Sequence, residues 1–197
     1  MKKQAIGWVL VVLLIAPLSS HAAAPLETIR AEINKVLDVL RDESLKGESG
    51  KNTKKTKIRS IANGMFDFPE LSRRTLGPDW KKLNAGQQKE FVDLYSDLLE
   101  ETYASKLLSY TNEKVLYGKE RNLTAKTVEV ETTIVTKKAD IPVNYRLIPK
   151  GGDWKVYDVV IEGVSLINNY RSQFREILAN KSADALIQNL REKVGGK

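Results

Sequence analysis

The sequence predicts an α+β fold: N-terminal helices, a four-stranded antiparallel curved sheet, and C-terminal helices packed on it around an apolar pocket. Apolar residues recur at helical spacing as far as residue 110, alternate with polar residues to residue 163, and then return to helical spacing. Short connections between the strand segments favour an antiparallel meander. Because helices and strands are segregated along the chain, a doubly wound sheet is excluded.

The first residues are predicted to be an export signal rather than part of the fold. Lys2 and Lys3 precede an apolar run over 6–15, and Ser20 and Ala22 supply the small residues of a cleavage site. The run is shorter than the roughly 20 apolar residues that a membrane-spanning helix needs. We therefore expect a signal peptide over residues 1–22 and a single domain over 23–197.

Composition excludes several classes of chemistry. The chain has no cysteine, and its one histidine, His21, lies in the predicted signal peptide. Disulfides, thiol nucleophiles, Ser-His triads, the usual zinc sites and a lipid-anchoring cysteine are therefore not expected. We expect no catalytic residue, metal or cofactor, and a location in a bacterial periplasm.

The net charge is +7, and 7 − 2 = +5 without Lys2 and Lys3. Export makes nucleic acid an unsuitable partner, which leaves anionic head groups or an acidic protein.

Four helical segments come first. The first segment carries apolar residues from Leu26 to Leu40 and is predicted to end at Gly47. A polar, basic stretch over 48–57 leads to a second apolar set that ends at Phe66. Pro69 marks a helix start and Gly77 a stop. The longest helix is predicted to begin after an N-cap at residue 84, with a buried stripe formed by Phe91, Leu94, Tyr95, Leu98, Thr102 and Tyr103.

Strands are predicted over 114–124, 125–138, 139–152 and 152–163, with the first turn near 121–123. On the second strand Val128, Val130, Thr132 and Ile134 share one face. A fifth helix is then predicted to place Val164, Ile167, Tyr170 and Phe174 on one side, and a last helix runs from about Ala185 to Val194.

An enzymatic reading finds little support in the sequence. Asp158 and Glu162 on one strand are a candidate acid–base pair, but a solvent-exposed strand edge is the favoured explanation. Glu100 and Glu101 are adjacent on a helix and do not face each other. The stretch PKGGDW is a hairpin turn rather than a phosphate loop.

A binding reading finds more support. The last strand is apolar on both faces, so one face can pack on helices while the other lines a cavity. A simple core beneath a curved sheet is the alternative. The predicted pocket is lined by Leu98, Tyr103, Leu107, Val128, Val130, Ile141, Val143, Tyr145, Tyr157, Val159, Ile161, Val164, Ile167, Tyr170 and Phe174.

Two stretches of the chain resemble a known family. The first has Phe66, Asp67, Phe68, Arg74, Leu76, Gly77 and Trp80; the second runs through Asp158, Val159, Ile161, Glu162, Gly163, Val164 and Ser165 to Tyr170 and Arg171. In this order they resemble the MlaC family, also called the toluene-tolerance periplasmic family. The resemblance extends over about residues 23–194.

The resemblance implies a soluble, monomeric periplasmic carrier of glycerophospholipid. Such a carrier exchanges lipid between an outer-membrane lipoprotein complex and an inner-membrane ABC transporter with an MCE-domain subunit, and so maintains outer-membrane lipid asymmetry. Burial of acyl chains, at about 0.8 kcal/mol per methylene, would dominate binding. The alternatives are a periplasmic chaperone or lipoprotein carrier with an exposed apolar groove, and an enzyme with a polar residue deep in its cavity.

A dense basic set could favour a phosphate or an acidic partner. An ordinary solvated helical surface explains the same residues. The set consists of Lys51, Lys54, Lys55, Lys57, Arg73, Arg74, Lys81 and Lys82.

Overall fold

The structure is a computed structural model that describes residues 24–110 and 112–195. The predicted signal peptide and His21 lie outside the described residues. Six α-helices are described: α1 (Pro25–Arg41), α2 (Glu48–Met65), α3 (Phe68–Leu76), α4 (Ala85–Leu108), α5 (Leu166–Asn180) and α6 (Ala183–Gly195). Short 3-10 helices follow α1 over Glu43–Leu45 and α3 over Gly77–Lys82.

Polar caps fix where the helices begin. The Asp67 side chain accepts a hydrogen bond from the Glu70 N–H at the start of α3. Asn84 accepts one from the Gln87 N–H, and the Gln87 side-chain oxygen accepts one from the Asn84 N–H, which completes a capping box on α4. The predicted N-cap of the longest helix is therefore confirmed.

The sheet has five antiparallel strands in sequential order: β1 (Lys114–Thr124), β2 (Thr127–Val135), β3 (Asp140–Lys150), β4 (Asp153–Ile161) and β5 (Val164–Ser165). The α+β class is confirmed, although the sheet has one strand more than the four predicted. Glu162 and Gly163 form the two-residue turn before β5 with φ of 49° and 83°. Two positive φ values are those of a type I′ turn, which suits the twist of a hairpin.

Strand register separates the sheet into two faces, because directly paired residues point to the same side. Val130, Tyr145 and Val159 are paired in one row across β2, β3 and β4; we call their side the apolar face. The next row contains Glu129, Arg146 and Asp158, and we call its side the ionic face.

One β-bulge interrupts β4. Arg146 pairs with Asp158 while Leu147 pairs with Val156, so Tyr157 is the extra residue on β4. The bulge leaves Val156 and Val159 on the same face although they are three residues apart.

Helices pack against this sheet and against each other. Arg30 of α1 lies over the Tyr117 ring at 4.7 Å from its centroid, and the Tyr117 hydroxyl lies 3.4 Å from the Asn34 side-chain oxygen. Since Tyr117 pairs with Thr132 of β2, α1 lies on the apolar face. Helix α6 is held to α4 by an ion pair between Arg191 and Glu90.

Two local predictions were wrong. The helix predicted from Val164 begins at Leu166, because Val164 and Ser165 pair with β4 as β5. Thr102 is exposed on α4, whereas Leu99, which was not predicted, is buried.

Candidate functional site

The apolar face collects most of the strand residues that were predicted to line a pocket. Val128, Val130, Ile141, Val143, Tyr145, Val159 and Ile161 all lie on it, as the register of β2, β3 and β4 shows. Val130 is fully buried, and Val143 and Val159 are buried as well. Burial raises the pKa of Tyr145 to about 12, and its hydroxyl has no hydrogen-bond partner within 24–110 and 112–195.

Tyr157 has a different environment from these residues. As the bulged residue of β4 it stacks under Arg74 of α3, whose guanidinium carbon lies 4.1 Å from the ring centroid. Its pKa is raised, chiefly by burial, although the Arg74 charge and a hydrogen bond with Thr127 oppose the rise. Tyr157 therefore connects the sheet to α3 instead of extending the row that contains Val159.

Aromatic rings of α4 and α5 form an apolar cluster between these two helices. Phe174 contacts Phe91 and Tyr95 at centroid distances of 5.4 and 5.3 Å, and Tyr170 lies 5.1 Å from Tyr95. Ile167 is buried beside this cluster on the same helix. These three residues of α5 do share one buried face, as predicted. Their ring geometries are those of edge-to-face packing, which adds to the stabilisation from burial.

The remaining residues that were predicted to line the pocket are less buried. Leu98 and Tyr103 of α4 are half-buried, and burial raises the pKa of Tyr103. Leu107 is 40% exposed and Val164 is 57% exposed. Val164 lies in β5 rather than on the helix, so it does not extend the buried face of α5.

Two cavities border helix α1. A cavity of about 230 Å³ lies between α1, the end of α2 and the β3–β4 turn, and its lining includes Met65 and Trp154. A second, of about 390 Å³, lies between α1 and α2 and is lined partly by Val39 and Ile61. None of the residues predicted to line the pocket borders either cavity.

The ionic face carries a buried charge network that the sequence did not predict. Arg146 donates to Glu129 at 2.8 Å and to Asp158 at 3.1 Å, and Arg121 donates to Glu129 at 2.5 Å. Glu129 is 2% exposed and Asp158 is 1% exposed. Burial alone would raise the pKa of Glu129, but the hydrogen bonds from Arg146 and Arg121 outweigh it and the pKa lies below its usual value.

Asp158 also fixes the start of α5. It accepts hydrogen bonds from the Ser165 hydroxyl at 2.7 Å and from the Ile167 N–H at 3.1 Å. The interpretation of Asp158 as part of an exposed strand edge is therefore wrong. Glu162 is exposed in the turn, so the two carboxylates do not share one environment as an acid–base pair would.

The first of the two sequence motifs also has a structural role. Phe66 forms an isolated bridge with Val156, and the Asp67 N–H donates to the Val156 carbonyl at 2.8 Å. The Asp67 carboxylate accepts from Lys150 at 2.7 Å. This motif therefore connects α2 and α3 to β4, next to the place where the second motif connects α5 to the same strand.

Most of the predicted basic set is paired. Lys54 donates to the Leu40 carbonyl, and the others except Lys81 form ion pairs with carboxylates: Lys51 with Glu48, Lys55 with Glu100, Lys57 with Asp42, Arg73 and Arg74 with Glu70, and Lys82 with Asp79. Pairing leaves this surface less positive than the lysine and arginine count indicates.

Within residues 24–110 and 112–195, no group of three or more His, Cys, Asp or Glu side chains could hold a metal ion. Over the same residues no helix is both long and apolar enough to cross a bilayer.

The fold defines a class, an α+β domain in which helices pack on an antiparallel sheet that has one apolar face. The sequence model of the MlaC protein family matches residues 30–192, and the chain belongs to this family.

Similar proteins carry related names. The chain is 23% identical over 190 residues to the intermembrane phospholipid transport system binding protein MlaC of Haemophilus influenzae, covering 94% of this chain and 89% of that protein. It is 23% identical over 178 residues to the toluene tolerance protein ttg2D of Pseudomonas putida, covering 89% and 83%. A solved phospholipid-binding protein of Ralstonia solanacearum, in complex with a phospholipid, has a TM-score of 0.77 and 25% identity, covering 88% and 98% of the two chains.

Proposed function

We propose that this protein is a monomeric periplasmic carrier that holds the acyl chains of a glycerophospholipid against the apolar face of the sheet. The observation that carries the proposal is the single face shared by the apolar residues of β2, β3 and β4. The phospholipid held by the Ralstonia solanacearum relative, which has the same fold, supports it. No catalytic residue is required, because burial of acyl methylenes drives binding.

The proposed carrier exchanges lipid with membrane complexes. Its donors and acceptors are an outer-membrane lipoprotein complex and an inner-membrane ABC transporter with an MCE-domain subunit, and its role is to maintain outer-membrane lipid asymmetry. The names of the Haemophilus influenzae and Pseudomonas putida relatives support a transport role. We place the functional domain at residues 23–197, after a cleaved signal over 1–22.

We place the mouth of the pocket at the end of the sheet that carries the β4–β5 turn. Val164 pairs with Ile161, which lies on the apolar face. Leu107 is close to the end of α4, and the following β1 begins at Lys114 opposite Val135, at the same end of the sheet. Exposed Leu107 and Val164 therefore form an apolar rim that incoming chains would meet first.

Lipid extraction tests the proposal. The protein is expressed with its signal in a Gram-negative bacterium, purified without denaturation or detergent, and extracted into organic solvent for mass spectrometry. We expect diacyl phospholipid in proportion to protein. Protein free of lipid after this treatment would contradict the proposal, and a co-purified lipopeptide would favour the alternative of a lipoprotein carrier.

A further inference from the structure

Exposed apolar side chains are concentrated at one end of the sheet. Within residues 24–110 and 112–195, the exposed large hydrophobic residues are Leu107, Leu116, Leu123 and Val164. Leu116 lies two residues after the start of β1, which is opposite the end of β2. Val164 pairs with Ile161 at the end of β4, which antiparallel pairing places at that same end of the sheet. Leu123 lies at the other end of β1.

Helix α4 carries Leu107 to the same region. Phe91 contacts Phe174 at 5.4 Å and Tyr95 lies 5.1 Å from Tyr170, so α4 and α5 run antiparallel. The last turns of α4 therefore extend past the first residue of α5, which follows β5 directly. The chain then reaches the start of β1 within residues 109–113.

Lysines without a carboxylate partner lie beside these apolar residues. Lys106 precedes Leu107, and Lys114 begins β1. Lys137 and Lys138 lie in the turn between β2 and β3. All four lysines are exposed, and none of them forms an ion pair within the described part of the chain. They differ in this from the dense basic set of α2 and α3, most of which is paired.

The carboxylates of the same segments are fewer. They belong to Glu113, Asp140 and Glu162, and only the last two are exposed. This end of the molecule therefore offers exposed apolar side chains together with an excess of positive charge, which is a surface that suits an anionic partner.

The kind of charge favours a bilayer over a protein as that partner. Protein–protein interfaces are enriched in aromatic residues and arginine and depleted in lysine, whereas the four cations here are all lysine. A peripheral membrane surface combines apolar side chains that enter the head-group region with lysines that contact anionic lipids. Both components are present at this end of the sheet.

We propose that this surface docks the protein on a bilayer that contains anionic phospholipid, with the mouth of the pocket facing the head groups. We call it the docking rim, and it consists of Lys106, Leu107, Lys114, Lys137, Lys138 and Val164. The inference rests on the proposed function for the position of the mouth, and it adds contact with the bilayer itself to exchange with protein complexes. An acyl chain that crosses the rim would pass from bilayer to pocket with little exposure to water.

Vesicle co-sedimentation tests the charged part of the rim. One set of vesicles contains equal parts of phosphatidylglycerol and phosphatidylcholine, and the other contains phosphatidylcholine alone. We expect the full mature chain to bind the first set more tightly, and to lose this preference when salt is raised from about 0.1 M to about 1 M, because the Debye length falls from about 10 Å to about 3 Å.

Two double variants separate the rim from charge in general. Lys137→Gln with Lys138→Gln should weaken binding to the anionic vesicles roughly thirtyfold, at about 1 kcal/mol for each lysine near the surface. The matched control is Lys126→Gln with Lys181→Gln, which removes the same charge at two other exposed positions, in the β1–β2 turn and after the end of α5. The control should bind as wild type does.

A pair of leucine variants tests the apolar part. Leu107→Ser should weaken binding about tenfold, which corresponds to about two methylenes removed from water. Leu123→Ser, at an exposed position near the other end of β1, should leave binding unchanged. Because all the substituted side chains are exposed, the melting temperatures should stay close to that of wild type.

The outcomes distinguish docking from carriage. Wild type that yields phospholipid on extraction but does not bind anionic vesicles at low salt would overturn the docking rim and leave the carrier intact. Equal weakening in the rim and control variants would also overturn it, because the location of the charge would then be irrelevant. Vesicle binding by protein that never holds lipid would instead remove the proposed function.

Discussion

The assignment of lipid to the apolar face can be tested with two neighbouring valines. Val159 and Val160 are 6% and 8% exposed, respectively, so they are buried to a similar extent. Val159 pairs with Tyr145 on the apolar face, whereas Val160 pairs with Asn144 on the ionic face. The same substitution at the two positions therefore changes opposite sides of one strand.

Replacement by phenylalanine adds about four carbon atoms at each position. On the apolar face these atoms would displace about as many acyl methylenes, and at about 0.8 kcal/mol each the loss is roughly 3 kcal/mol, or more than a hundredfold in affinity. Overpacking should destabilise both lipid-free variants by about 1–3 kcal/mol. We therefore expect Val159→Phe to purify without lipid and Val160→Phe to retain it.

The assay is the molar ratio of extracted phospholipid to protein, with urea unfolding of the delipidated variants as the measure of stability. Equal lipid content in the two variants would show that the chains do not lie on the apolar face. Loss of lipid from Val160→Phe alone would assign the acyl chains to the ionic face of the sheet. Either result would refute the reasoning from strand register.

Three further predictions concern stability. Phe174→Ala should lower the free energy of unfolding by about 3–5 kcal/mol in urea titrations, because it removes ring contacts with Phe91 and Tyr95. Val164→Asp, at an exposed position, should change it by no more than about 0.5 kcal/mol; a large loss would mean that Val164 is buried. The pKa of Glu129 is lowered in the fold, so its stabilisation is present above its unfolded pKa of about 4.3 and is lost as the pH falls through the folded pKa. Glu129→Gln should therefore show less acid destabilisation below about pH 4, relative to pH 7, than wild type in urea titrations.

The helices and the main strands could be predicted because their signals are local. A capping residue such as Asn84 or a proline such as Pro69 acts on its own helix, and the alternation along β2 and β3 is visible without knowledge of their partners. The two-residue strand β5 is too short to show a period. Its signal was the turn at Glu162 and Gly163, which could have indicated that the helix begins after Val164 rather than at it.

The apolar face could be predicted for the same reason. Where a residue departs from the predicted alternation, the departure has a physical cause. One extra residue in β4 removes Tyr157 from the alternation and places it beneath Arg74. No glycine marks that bulge, so a single sequence gives no warning of it. The pairing of Glu129 with Arg146 and Asp158 depends on the register of three strands, which alternation alone does not determine.

The two motifs that identify the family lie where the helices join the sheet rather than where lipid would bind. An apolar face is satisfied by valine, isoleucine or leucine alike, because burial of apolar surface is not directional. The junction requires particular residues: a carboxylate at Asp158 to accept three bonds, a glycine at Gly163 to adopt a positive φ, and a hydroxyl at Ser165 to cap α5. Exchanges among aliphatic residues on the apolar face are therefore expected to alter which acyl chains fit, while exchanges at the junction should weaken the attachment of α5 to β4.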